Sequence, residues 1–193
     1  MTKELEIEYK NMLEQNEYNR LLEAFEVKAD EIKTQTNHYF DTKDFSLKAK
    51  RCALRIRVKN EDYECTLKTP APEGNYEITD SLTPMQAEKM LDGHSFEALE
   101  VKAALKELGV NEKDLERFGT LTTHRVEFPY KDGLLVIDHS EYGQAEDYEL
   151  EFEVQNAEVG RKQFLDFLTT QKIPVRPADK KIARFMKSIK PFT

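Results

Sequence analysis

Apolar and charged residues alternate from Glu4 to Lys10, with Leu5, Ile7 and Tyr9 on one side and Glu4, Glu6, Glu8 and Lys10 on the other. A period of two predicts a β-strand at the start of the chain. The period then lengthens. Asn16 is placed to cap a helix whose apolar stripe is Leu21, Leu22 and Phe25, and Lys33 to Asp41 returns to extended structure before the Asp41-Thr42-Lys43-Asp44 turn. From Cys52 to Lys59 the alternation is strict, Leu54, Ile56 and Val58 opposing Arg55, Arg57 and Lys59. Asn60-Glu61-Asp62 turns the chain into a further strand, with Tyr63, Cys65 and Leu67 opposite Glu64, Thr66 and Lys68. Pro70, Pro72 and Gly74 interrupt it before Tyr76-Glu77-Ile78-Thr79 resumes.

A helical period occupies the middle of the chain. Thr83 caps a turn led by Pro84, Phe96 to Leu108 forms a longer amphipathic helix stopped by Gly109, and Asn111 caps another short helix. Strands centred on Arg125 and Asp138 follow, joined at Lys131-Asp132-Gly133. A third strand runs from Asp147 to Val154, with Glu149, Glu151 and Glu153 opposite Tyr148, Leu150, Phe152 and Val154. The end is helical, first through Phe164, Leu165, Phe167 and Leu168, then past Pro174 and Pro177 through Ile182, Phe185, Met186 and Ile189. Two blocks of short antiparallel strands, with helices between and after them, give an α+β class. No repeat or linker divides the 193 residues, so one domain over 1–193 is expected.

Two architectures satisfy this alternation. In an open antiparallel sheet the charged faces meet water and the apolar faces pack on helices. In a closed barrel the charges lie inside and helices cover the outer, apolar face. The sign of the charges favours closure: Arg55, Arg57, Lys68 and Arg125 are basic, while Glu6, Glu8, Glu149 and Glu151 are acidic and sit on the terminal strands. First and last strands with matching acidic patterns are expected where a barrel closes. Glu64, Lys59, Lys3 and Glu4 read as solvent charges at strand ends.

Composition narrows the chemistry. The chain carries 29 Lys and Arg against 37 Asp and Glu, a net charge of −8. That balance argues against a broad nucleic-acid surface and suits a small enclosed anion. No apolar run is long enough to span a membrane, and the Met1-Thr2-Lys3-Glu4 start lacks a secretory pattern, so a cytoplasmic protein is expected. Cys52 and Cys65 read as buried thiols in a reducing compartment. His38, His94, His124 and His139 show no paired metal-ligand spacing and no nucleophile motif, so structural roles are expected for them. Guanidinium forks and lysine charges bind phosphate oxygens, and carboxylates hold magnesium or manganese; both sets on one chain describe a polyphosphate–metal site.

These residues resemble the CYTH superfamily, also called triphosphate tunnel metalloenzymes, whose N-terminal signature Glu-x-Glu-x-Lys is matched by Glu6-Ile7-Glu8-Tyr9-Lys10. Tyr39-Phe40-Asp41-Thr42, Leu54-Arg55-Ile56-Arg57, Thr66-Leu67-Lys68, Tyr76-Glu77, Arg125, Ile137-Asp138 and Tyr148-Glu149-Leu150-Glu151 follow in the family's order, and the bacterial stand-alone branch is most similar. The resemblance implies an eight-stranded antiparallel β-barrel, or tunnel, with helices packed outside. It implies that Lys10, Arg55, Arg57, Lys68, Arg125 and Lys181 bind the phosphate chain. Glu6, Glu8, Asp138, Glu149 and Glu151 would hold Mg2+ or Mn2+, with Glu6, Glu8, Glu149 and Glu151 catalytic. Glu77 is a weaker addition, and Glu153 is expected beside the site, at the tunnel mouth. The family often has Ser-Lys where this chain has Asp179-Lys180-Lys181. Arg184 is open between pairing with an acid and joining the site.

The implied activity is divalent-metal-dependent hydrolysis of inorganic triphosphate, a nucleoside triphosphate or thiamine triphosphate. The alternatives are a class IV adenylate cyclase and a non-catalytic polyphosphate- or nucleotide-binding module. The implied partner is a small triphosphate-containing molecule, with no nucleic acid or membrane; a homodimer is compatible with the sequence.

Overall fold

The computed structural model describes residues 3–188; Met1, Thr2 and Ile189 lie outside the described residues. The eight strands and six α-helices of the described residues run in chain order β1 Lys3–Leu13, α1 Gln15–Ala24, β2 Lys33–Thr42, α2 Ser46–Ala49, β3 Ala53–Lys59, β4 Asp62–Pro70 and β5 Asn75–Leu82. They are followed by α3 Pro84–Leu91, α4 Leu99–Glu107, β6 Leu115–Tyr130, β7 Gly133–Tyr142, β8 Ala145–Val154, α5 Ala157–Thr170 and α6 Lys181–Ser188. The strands hydrogen-bond in the order β1-β5-β4-β3-β2-β6-β7-β8, which returns to β1 and forms a closed barrel. Closure decides between the two architectures that alternation allows, and β1 and β8 do meet, antiparallel, with Lys10 opposite Glu151.

The described residues form two compact units, one of residues 3–5 with Gln35–Thr120 and the other of Glu6–Thr34 with residues 121–188. In the first, Leu54, Ile56, Cys65, Leu67 and Ile78 of β3–β5 bury their side chains against Ala87 and Met90 of α3 and Val101 and Leu105 of α4. In the second, Leu13, Val126, Leu135, Ile137, Leu150 and Phe152 pack with Tyr18 and Leu21 of α1 and Phe164, Phe167 and Leu168 of α5. In each unit the helices cover the apolar face, so the charged positions of the same strands are left on the barrel's inner face.

Local chemistry sets the boundaries, and some differ from those predicted. Glu14, not Asn16, begins α1 through a reciprocal capping box with Glu17. Phe96 to Ala98 stay non-helical; α4 starts at Leu99, and the Asp80 carboxylate on β5 accepts from the Val101 N–H at 2.9 Å. Asn111 caps a single 3-10 turn, Glu112–Asp114. The short helix α2, absent from the periodicity, rests on Asp41, whose carboxylate accepts from the N–H groups of Leu47 and Lys48 at 2.8 and 3.0 Å. Gly133 follows the β6–β7 turn, where a Cβ would stand 2.4 Å from the Glu153 carbonyl oxygen. Both cysteines are buried thiols, with no disulfide between them, and burial pushes the Cys65 thiol up.

Candidate active site

Register places the charged side chains of β6, β7 and β8 in one rung: Arg125 is opposite Asp138, and Asp138 is opposite Glu149. Glu151 follows two residues along β8 on the same face, with Lys10 across from it on β1. Asp138 and Glu149 are wholly buried and Glu151 is 3% exposed, so each carboxylate depends on protein partners for its charge.

The partners are cations from three directions. Arg125 forks onto Asp138, Nε and Nη2 donating at 2.8 and 2.6 Å, and Nη2 also reaches Glu151 at 2.8 Å. Lys10 lies 2.9 Å from Glu151, 3.0 Å from Glu8 and 3.6 Å from Glu149. From α6, Lys181 donates to Asp138 at 2.5 Å and stands 3.4 Å from Glu151 and 3.5 Å from Glu149. Arg184, one helical turn further on the same face of α6, contacts Glu149 and donates to Asp147 at 2.7 and 3.2 Å. The lysine assignment at 181 thus has a structural partner set, and Arg184 joins an acid inside the cluster. The spacing of Lys181 and Arg184 along a helix was the available sequence signal for this.

Burial and charge act against each other here. Burial disfavours the ionised form of Asp138, but Arg125 and Lys181 outweigh it and hold the carboxyl below the usual range. Glu151 is likewise held well below, since Lys10, Lys181 and Arg125 all face it. Glu149 goes the other way. Burial, with Glu151 beside it, pushes its carboxyl up to about 7 despite Lys181 and Lys10. Lys10 and Arg125 stay charged, because their acidic neighbours more than offset burial.

Oxygens of Asp138, Glu149 and Glu151 lie within 4.8 Å of one another, and Glu149 Oε1 is buried without a hydrogen-bond partner. An orphaned carboxylate oxygen among three converging carboxylates fits a hard divalent cation, which takes oxygen ligands. Glu8 adjoins this group through Lys10 and lies opposite Glu153. Glu6 is outside the three-carboxylate cluster. Glu153 is on the inner face, where burial pushes its carboxyl up to about 7 and Glu6, Glu151 and Glu8 add to the rise.

In the other unit, β3, β4 and β5 carry a basic group. Lys68 is opposite Glu77 and forms an ion pair with it, while Arg55 Nη2 lies 4.0 Å from Glu77. Arg57 donates from Nε to Asn37 at 3.0 Å and stands 3.5 Å from Glu64. The Arg55 Nε–H is buried with no hydrogen-bond partner, a donor without an acceptor. Burial opposes the charge of Glu77, yet Lys68 and Arg55 hold its carboxyl below the usual range. Glu77 therefore belongs with this basic group more firmly than sequence placed it, and Glu64 borders the group as well as solvent.

Among the described residues no helix is long and apolar enough to cross a membrane. The CYTH domain family model matches residues 4–186. YjbK of Bacillus subtilis (strain 168), which carries the provisional name triphosphatase, is 41% identical over 185 residues, covering 96% of each chain. A Bacillus halodurans crystal structure provisionally described as an adenylate cyclase is 39% identical, with a TM-score of 0.92 over 96% of this chain and 99% of that one. The Hippeastrum protein HpAC1, described as having a dominant triphosphatase activity, shares the fold at 23% identity and a TM-score of 0.81, covering 97% and 98%. With its barrel order, its inward acidic and basic groups and a family match over nearly its whole length, the chain belongs to the CYTH domain family.

Proposed function

We propose that this protein hydrolyses the phosphoanhydride bond of small triphosphate-containing molecules, and that Mg2+ or Mn2+ is its cofactor. The observation that carries the reading is the buried triad Asp138, Glu149 and Glu151, in which Glu149 Oε1 accepts no hydrogen bond, with Lys10, Arg125 and Lys181 against it. The 41% identity to YjbK supports it.

In this reading Asp138, Glu149 and Glu151 hold the divalent ion, with Glu6 and Glu8 contributing from β1. When bound, the ion neutralises phosphate oxygens and polarises the phosphorus toward an attacking water. Lys10, Arg125 and Lys181 of the second unit would hold phosphate oxygens in charge-assisted hydrogen bonds beside these carboxylates, and Arg55, Arg57 and Lys68 of the first unit are phosphate-binding groups of the same kind. The water oxygen forms a bond to the terminal phosphorus, the bridging P–O bond breaks, and the water proton passes to a carboxylate of the acidic set. Positioning and electrostatics supply most of the rate in such a site.

Substrates that fit are inorganic triphosphate, nucleoside triphosphates and thiamine triphosphate, because the basic groups address phosphates alone. A cyclase reading has one support, the description of the Bacillus halodurans relative. The test incubates the protein with tripolyphosphate, ATP and thiamine triphosphate, with Mg2+, with Mn2+ and with chelator, and identifies every product. Orthophosphate release that needs the metal and is lost in Glu6→Ala/Glu8→Ala is the expected result. Cyclic AMP with pyrophosphate from ATP would establish the cyclase, and tight tripolyphosphate binding without turnover a binding module.

A further inference from the structure

The outer face of β6, β7 and β8 gathers four side chains that the inner-face chemistry does not use: His124, His139, Glu141 and Glu146. We propose that they form a second metal site, on the outside of the barrel, for a first-row transition dication of the zinc class. Register brings them together. His124 is the cross-strand partner of His139, and Glu141 lies directly opposite Glu146. Like charges facing each other across strands repel; in the structure each of these glutamates meets a histidine, and a cation among the four would neutralise the pair.

The geometry supplies the place for one. One ligand atom each from His139, Glu141 and Glu146 lie within 4.8 Å of one another. His124 adjoins these three, its Nε2 3.0 Å from Glu141 Oε2 and its ring centre 5.5 Å from that of His139, and is the fourth ligand of the proposed site. His139 Nε2 is 2.8 Å from Glu146 Oε2. The imidazoles are also held in orientation. Thr34 Oγ1 lies 3.0 Å from His124 Nδ1, so a proton on Nδ1 donated to that hydroxyl leaves the Nε2 lone pair directed at the site. His139 stacks on Tyr148 at 4.6 Å with a 14° interplanar angle and is flanked by Tyr18.

The donor set decides the ion. Two imidazole nitrogens with two carboxylates select zinc, cobalt or nickel, whereas the inner triad offers oxygen alone and suits magnesium or manganese. Placement gives the site its consequence. The outer rung His124–His139–Tyr148 is one residue from the inner rung Arg125–Asp138–Glu149 on every strand. A cation on the outer face therefore clips the register of the three strands that position the inner carboxylates.

The test uses the full chain saturated with Mg2+ and titrated with Co2+, read by visible d–d absorption and by displacement with Zn2+. One Co2+ per chain is expected, with affinity falling at least tenfold in His139→Ala, in His124→Ala and in Glu146→Gln, and unchanged in Glu149→Gln. Glu146 is exposed, so its variant keeps the fold and isolates the ligand. A cobalt spectrum identical to the aquo ion, meaning histidine–glutamate ion pairs only, would overturn the proposal. So would a signal that survives these outer-face variants, one lost in Glu149→Gln, or one with a thiolate charge-transfer band.

Discussion

Replacing Glu149 by glutamine is expected to stabilise the metal-free protein at alkaline pH while removing its activity. Glu149 is wholly buried, and burial pushes its carboxyl up to about 7. In the unfolded chain the same group titrates near ~4.3. The sign follows from which state ionises first. Below the unfolded value both states are protonated and the group contributes no penalty. Between the two values only the unfolded chain is ionised, so stability falls as pH rises; above about 7 the penalty is complete. The gap between the folded and unfolded values corresponds to about 3–4 kcal/mol. Glutamine reproduces the shape of the protonated acid and never ionises. Arg184 loses one contact in the variant but keeps its two hydrogen bonds to Asp147, so the net gain is about 2–3 kcal/mol at pH 8. Urea denaturation in chelator, repeated from about pH 5 to 8, reads it directly: the gap between the two proteins is smallest at the acid end and widens as pH rises. Added Mg2+ is expected to reverse the order, because only the parent gains the full binding free energy. A variant less stable than its parent at pH 8 in chelator, or a gap that ignores pH, would refute the reasoning.

Two further outcomes follow from the remaining geometry. Arg55→Ala removes a guanidinium whose Nε–H has no protein acceptor, so it is expected to raise KM for tripolyphosphate by about 10- to 100-fold with little change in the urea midpoint; steady-state kinetics and denaturation together check it. Phe152→Ala empties a fully buried position of the second unit's core and is expected to cost about 3–5 kcal/mol in urea titration at unchanged m-value.

The candidate site was legible in sequence to the extent that it lies on strands. A period of two assigns Lys10, Arg55, Lys68, Glu149 and Glu151 to charged faces without any knowledge of strand order, whereas Asp138 follows an apolar run and came from the family resemblance. The matching acidic patterns of the first and last strands pointed to their meeting, and β1 pairs with β8. Contributions from other elements were harder to read. Arg184 reaches Glu149 only because α6 presents Lys181 and Arg184 together, and Glu14 displaces Asn16 as the helix cap through a reciprocal bond with Glu17. The pairing of His124 with His139 was hidden for another reason: ligand spacing along a chain is informative within a helix or a short loop, whereas cross-strand partners are set by register.

Taken alone, the sequence determined the two faces of nearly every strand, the segregation of acid from base and the family, since alternation and motif order are properties of the chain. Tertiary structure decided whether the strands close on one another, which carboxylates converge and which one has a buried oxygen without a hydrogen bond. Closure and register are long-range pairings between strands. They choose among partners that local pattern treats as equivalent, and so they bring Asp138, Glu149 and Glu151 together and leave Glu6 outside that cluster.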